Sequence, residues 1–254
     1  IHTEHGGGLP FAASSHFDFF EKISNKIIKW DNTEQKKNIY VNLSPTVPTI
    51  VNPKKERNNC SIIFAEPRKY LLKYHRGPGL DQSINYFNEL TQFVNNLDIA
   101  IKSKIKFRTK TFSSYNSEKI FLRMFGKESI EKISSKNTYE KTLLNSRLII
   151  VTYPETAFSQ AMYSNIPTIL ITKKEHYLFT KAALNTFDIL QKNKIAFEDF
   201  NDAKDHVNKH WKEVDIWWRD ENVQAARKIY LANFFNVKSE WYKEWSEYIS
   251  YTLN

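Results

Sequence analysis

Downstream of residue 60 the chain alternates between short apolar runs and longer stretches whose apolar residues recur at helical spacing. The runs Ser61 to Ala65, Ile120 to Met124, Leu148 to Val151 and Thr168 to Ile171 have the length and apolar content of buried strands. Ile99 to Phe107, where apolar residues alternate with lysine or serine, reads as a further strand. Between them, Ser83 to Leu97 sets Ile84, Phe87, Leu90 and Val94 on one helical face, and Thr138 to Asn145 and Ala157 to Ser164 read as shorter helices. Tyr177 to Asn193, Phe200 to Trp211, Asn222 to Asn233 and Ser239 to Tyr251 are helical, the last two closing the chain as aromatic-rich helices. This alternation predicts an α/β fold: a Rossmann-like, mostly parallel sheet flanked by helices, with any ligand beyond the carboxyl ends of the strands.

Upstream of residue 60 the pattern is more broken. His5-Gly6-Gly7-Gly8 is a glycine loop, Phe17, Phe20 and Ile23 follow at helical spacing, and Ile27 to Trp30 and Ile39 to Leu43 are short strands. Pro45, Pro48 and Pro53 with the polar run Lys54 to Asn59 make a loop, because proline interrupts both helices and sheet ladders. The chain begins on Ile1 rather than on a methionine, so its first residues are expected to start in mid-fold. Residues 1–36 are expected to be the tail of an N-terminal Rossmann-like domain plus a connection, and residues 37–254 a C-terminal Rossmann-like domain with its closing helices.

The stretch from Ser146 to Ile171 carries the most chemistry. It reads as a buried strand, a polar turn, a short helix, a tight Asn165-Ile166-Pro167 turn and a second buried strand. The turn Thr152-Tyr153-Pro154-Glu155-Thr156-Ala157 brings two hydroxyls and backbone amides to a helix N-terminus, whose partial positive charge favours phosphate. The same residues also suit plain capping, with Thr152 or Thr156 as the cap and Glu155 complementing the dipole. The pattern alone leaves both readings open.

This turn and the strands around it resemble the donor-site motif of a family of bacterial surface-polysaccharide (O-antigen-cluster) transferases. His5-Gly6-Gly7-Gly8 resembles that family's Gln-His-Gly-Gly motif, and Phe187-Asp188-Ile189-Leu190, Trp217-Trp218 and Val223-Gln224-Ala225-Ala226-Arg227 match its C-terminal pattern. More distantly the segment is similar to the capsule Kdo transferases and other GT-B enzymes. The resemblance implies the C-terminal half of a GT-B-type, two-domain glycosyltransferase. The donor nucleotide would be held by Thr152, Tyr153, Pro154, Glu155, Thr156 and Ala157, with Arg108, Lys110 and Arg123 adding positive charge. His5 and Glu4 are the candidate catalytic residues, beside the glycine loop Gly6, Gly7 and Gly8. Glu4 stands where the family has glutamine, and Gln160 where a glutamate is common, which removes a carboxylate suited to a ribose. The implied donor is a nucleotide sugar, CMP-linked Kdo or a nonulosonic acid, with a UDP- or GDP-hexose as the alternative. The implied acceptor is a glycan or lipid-linked glycan. A non-catalytic nucleotide- or glycan-binding module of a surface-polysaccharide assembly system is the competing reading. His75 to Gly79 reads as an ordinary turn ahead of an acceptor-side loop.

Composition adds limits. The net charge of +9 comes with lysines spread along the whole chain, the pattern of a solvated surface rather than a nucleic-acid footprint, so no nucleic acid is expected. The single cysteine, Cys60, excludes an internal disulfide framework and any multi-cysteine zinc site. His206 and His210 are four apart on a helix, yet no third ligand accompanies them. With no Asp-X-Asp triplet either, no metal and no cofactor are expected. No apolar run reaches membrane-spanning length, and the expected location is cytoplasmic, with peripheral association at the inner face of the membrane.

Overall fold

The computed structural model describes residues 1–3, 22–30, 39–46, 57–66, 77–109 and 116–253. The glycine loop and the candidates Glu4, His5, Gly6, Gly7 and Gly8 lie outside them, as do Lys110, His75 and Arg76. A small parallel sheet joins β1 (His2–Thr3), β2 (Ile27–Lys29) and β3 (Tyr40–Asn42) in that order, so it takes in residues past the boundary expected at 36. The large sheet joins β4 (Asn59–Ile63), β5 (Ile105–Thr109), β6 (Ile130–Lys132), β7 (Ser146–Val151), β8 (Thr168–Ile171) and β9 (Ala196–Phe197). Its order is β6-β5-β4-β7-β8-β9, and every pairing is parallel.

Parallel neighbours need long crossovers, and helices supply them. Helices α1 (Leu80–Asn95) and α2 (Ile99–Lys102) lie between β4 and β5, α3 (Ser117–Phe125) between β5 and β6, and α4 (Tyr139–Asn145) between β6 and β7. Helices α5 (Thr156–Tyr163) and α6 (Lys181–Lys192) follow β7 and β8, and α7 (Phe200–His210), α8 (Val214–Arg219), α9 (Glu221–Phe234) and α10 (Trp241–Leu253) follow β9. Strand β7 shows how the layers form. Ile149 and Val151 point into a core with Phe158, Phe187 and Tyr230, while Leu148 and Ile150 point into one with Leu90, Phe107 and Val207. The period-2 alternation of a strand thus feeds two helical layers, which is why the run looks wholly apolar in sequence.

Two expected strands are corrected. Ile120 to Met124 lies inside α3, because Phe121 and Phe125, four apart, pack on Phe107 at ring-centroid distances of 4.1 and 5.3 Å. That leaves Ile120, Leu122 and Met124 exposed. Ile99 to Phe107 splits into the single turn α2, in which Ile101 is buried, and then β5. Ile84, expected on the core face of α1, is also exposed. Helix α6 starts at Lys181 rather than near Tyr177, because the Thr180 hydroxyl accepts the Ala183 amide 3.2 Å away and fixes the cap. The Gly77–Gly79 stretch is the lead into α1. Gly77 sits at φ +127°, which a side chain would strain, and the Gly79 amide donates to Gln82 Oε1 at 2.8 Å.

The closing helices return to the small sheet. Trp30 meets Phe235 edge-on at 6.1 Å, the Ser44 amide donates to Glu244 Oε2 at 2.9 Å, and Trp245 Nε1 donates to the Ser44 carbonyl at 2.8 Å. Trp218 is buried and donates to Asn165 Oδ1 at 2.9 Å. Trp218 and Trp245 thus serve packing. Among the described residues, no helix is long and apolar enough to cross a membrane.

The helical assignment of α3 has a direct test. Phe121→Ala is expected to cost about 3–5 kcal/mol in urea unfolding, as for other buried phenylalanines, whereas Leu122→Ser stays within about 0.5 kcal/mol. A strand would reverse the order. His206 on α7 gives a second test. Burial, followed by the neighbouring His210, Lys194 and Lys209, lowers its pKa to about 3. The unfolded chain therefore takes up a proton that the folded one refuses, so stability falls as pH drops from about 6.5 toward about 3. His206→Gln is expected to flatten the melting temperature over that window relative to the parent.

Candidate functional site

In the order β6-β5-β4-β7-β8-β9 the chain builds outward from β4 in one direction, returns, and then builds outward from β7 in the other. The connections leaving β4 and β7 therefore diverge, and a crevice opens beyond their carboxyl ends. It holds a cavity of about 310 Å³. Phe64 and Glu66 come from the end of β4, Arg108 from β5 and Tyr139 from α4, while Tyr153, Glu155, Thr156, Ala157 and Gln160 come from the turn after β7 and helix α5.

The two diverging loops are stitched together beneath this cavity. The Ala65 amide donates to Thr152 Oγ1 at 2.8 Å and to the Tyr86 hydroxyl at 3.0 Å, and those two hydroxyls share a hydrogen bond at 2.5 Å. The Thr152 amide donates to the Ile63 carbonyl at 3.0 Å, extending the β4–β7 ladder by one residue. Thr152 is buried and does not line the cavity. Its expected role as a hydroxyl ligand is corrected, since the hydroxyl is committed to holding the loops. Pro154 is buried too and shapes the turn from behind.

Helix α5 starts with Glu155 at the N-cap position in extended conformation, and the Glu155 side chain makes no capping hydrogen bond. Neither threonine is the cap, then. The first helical bonds run from the Phe158 and Ser159 amides to the Glu155 carbonyl, at 2.9 and 3.2 Å. The amides of Thr156 and Ala157 stand ahead of this ladder at the cavity wall, where the helix dipole concentrates positive charge.

Arg108 is largely buried. Its Nη1 donates to Glu131 Oε1 at 2.9 Å and Thr142 Oγ1 at 2.8 Å, its Nη2 donates to the Asn137 carbonyl at 3.2 Å, and the guanidinium lies 5.6 Å from the centre of the Tyr139 ring. A planar fork held on three sides presents a fixed charge at little further ordering cost. Tyr139 donates its hydroxyl to the Ala157 carbonyl at 2.7 Å, which ties α4 to α5. The Tyr153 phenol has its pKa pushed up to about 12 by burial, reinforced by the charge of Glu155 and opposed by Arg108, so it stays protonated. Glu66 accepts a hydrogen bond from Ser117 Oγ at 2.5 Å.

The structure therefore brings Arg108, Tyr153, Glu155, Thr156 and Ala157 to one cavity. Arg123 is not among its walls. It sits in the last turn of α3, exposed, because the expected strand is a helix that turns it outward. The sequence reading assigned no role to Glu66, Glu131 or Tyr139. Glu66 had a usable signal, since it stands just beyond the end of the run Ser61 to Ala65, where a parallel sheet collects its ligands. The cavity can meet an anion with helix amides and a guanidinium, and hydroxyl groups with the carboxylates of Glu66 and Glu155.

The sequence matches the model of the LIC12162 family transferase over residues 1–249. The chain belongs to this transferase family. Among solved structures, the chain is similar to a TarM mutant from S. aureus, in complex with fondaparinux, α-GlcNAc-glycerol and UDP. The TM-score is 0.55 at 15% identity, covering 96% of this chain and 49% of that one. It is also similar to the pneumococcal O-GlcNAc transferase GtfA, in complex with UDP and GlcNAc, with a TM-score of 0.50 at 12% identity, covering 99% of this chain and 52% of that one. This LIC12162-family chain thus spans about half the length of those structures and shares the Rossmann-like α/β fold of the GT-B type. No protein of curated function matches it.

The stitch has a measurable worth. Thr152→Val keeps the volume but removes the hydroxyl shared by Ala65 and Tyr86, and is expected to cost about 1–3 kcal/mol in chemical denaturation. A neutral substitution would show that the loops hold without it.

Proposed function

We propose that this LIC12162-family chain is the donor-binding part of a glycosyltransferase that moves a sugar from a nucleotide to a cell-surface glycan. The observation that carries the reading is the position of the cavity. It opens at the switch point between β4 and β7, under the N-terminus of α5, with Arg108 fixed beside it. In this reading the leaving phosphate is stabilised by the amides of Thr156 and Ala157, the Thr156 hydroxyl and Arg108, without a metal. Glu66 and Glu155 accept hydroxyls of the ribose or the sugar. That assignment favours a neutral hexose on UDP or GDP over CMP-linked Kdo or a nonulosonic acid, because a second carboxylate would face two already present. The TarM and GtfA structures, both solved with UDP, support the same choice. The acceptor, a glycan or lipid-linked glycan, and association with the inner membrane face belong to this proposal too. So does the division of the chain into the tail of a first Rossmann-like domain with its connection and a second Rossmann-like domain with its closing helices.

Thermal-shift titration with CMP, UDP and GDP tests the reading. A nucleoside diphosphate is expected to raise the melting temperature. Thr156→Ala is expected to lose roughly 1.5–3 kcal/mol of that binding, the worth of a hydrogen bond to a charged group. No response to any nucleotide, or a mutant that binds as well as the parent, would sink it. Binding without sugar transfer by the full-length protein would favour the non-catalytic module, and transfer abolished by EDTA and restored by Mn²⁺ would refute the metal-free mechanism.

A further inference from the structure

A second cavity, of about 770 Å³, is not at the switch point. It lies by the β9 edge of the sheet, where the C-terminal ends of α6 and α7 meet the start of α9 just ahead of β9. Lys192, Lys194, Lys209, His206, His210 and Trp217 line it. Its one acidic wall residue, Asp220, is already engaged, with Oδ1 accepting the amides of Asn222 at 2.9 Å and Val223 at 3.4 Å to cap α9. None of the three lysines forms an ion pair with a described residue. The aromatic part of the wall is tightly ordered: the His206 ring lies 4.5 Å from that of His210 and meets Trp217 edge-on at 4.7 Å. His206 Nε2 and Trp217 Nε1 are buried and have no hydrogen-bond partner among the described residues. Two such groups in one wall call for a ligand or ordered water, since an unmet buried donor or acceptor is costly.

Three ammonium groups repel a divalent cation, so the two histidines do not make this a metal site. The same charges attract an anion, and imidazole and indole faces attract a ring. We propose that this cavity is a second binding site, separate from the switch-point cleft, for a phosphate monoester carried on a sugar or aromatic ring. The lysines neutralise the phosphate while the ring lies against Trp217 and the two imidazoles. The volume lies within the range of small-molecule sites and has room for a ring phosphate. The proposal stands apart from the glycosyltransferase reading and uses none of its residues.

Glucose 1-phosphate and phenyl phosphate are the probes, titrated calorimetrically into the full chain, with inorganic phosphate as the comparison. At least one ring phosphate is expected to bind roughly tenfold more tightly than inorganic phosphate, a difference of about 1.4 kcal/mol. The double variant Lys194→Gln/Lys209→Gln is expected to weaken it by a similar factor, and Arg108→Gln to leave it unchanged. Both lysines are exposed, so the double variant should melt with the parent. If it does not, His210→Gln is measured in its place and should show the same direction of loss. Ring phosphates that bind no better than inorganic phosphate would overturn the proposal. So would undiminished binding by the cavity variants, or loss of binding in Arg108→Gln alone, which would move the ligand to the switch point.

Discussion

The switch-point cleft of this chain hangs on a shared amide. Ala65 N–H sits between the hydroxyls of Thr152 and Tyr86 and holds together two loops whose sequences are 87 positions apart. Beneath it β4 and β7 pair along their whole length, the central and most extensive seam of the sheet. Above it the chain has nowhere to go but apart. A Rossmann-like sheet makes its crevice by this divergence, and the hydroxyl knot fixes how wide the crevice is. Burial keeps the Tyr86 phenol well above its ordinary pKa, so its contribution to the knot is a neutral hydroxyl at physiological pH.

The cavity above the knot combines opposite electrostatic demands within a small volume. Helix α5 and Arg108 supply positive potential, while Glu66 and Glu155 supply negative charge, and Glu131 pairs with Arg108 from behind the wall. Arg108 can be buried because Glu131, Thr142 and the Asn137 carbonyl satisfy its donors. That arrangement suits a ligand which is itself divided, anionic at one end and rich in hydroxyls at the other. It suits a simple polyanion such as a nucleic-acid backbone badly, so the basic composition of the chain and the character of its cleft point in different directions.

Much of this was legible in the sequence, for reasons particular residues make plain. Leu148 to Val151 and Thr168 to Ile171 announced themselves because a strand buried on both faces is apolar throughout. The position of the turn after Val151, between a strand and a helix, fits a phosphate site and a plain cap alike, and only the family resemblance favours the first. Other features were hidden. The strands Ile130–Lys132 and Ala196–Phe197 are too short to show any alternation. The segment around Phe121 reads as apolar in either period, and only the stacking of Phe121 on Phe107, a long-range contact, selects the helix. Thr152 was assigned to the ligand because its partner across the sheet, Ala65, is invisible to local reading. Tyr139 reaches the cavity, and Glu131 reaches Arg108, through the tertiary arrangement of β5, β6 and α4, which no spacing along the chain encodes.

The return of the last helix to the first sheet carries a mechanical consequence. Trp245 and Glu244 grip both backbone groups of Ser44, and Phe235 seats against Trp30, so the small sheet is connected to the large one by two separate passages of the chain. A load applied to the small sheet is therefore shared between the chain that runs on into β4 and the closing helices α9 and α10.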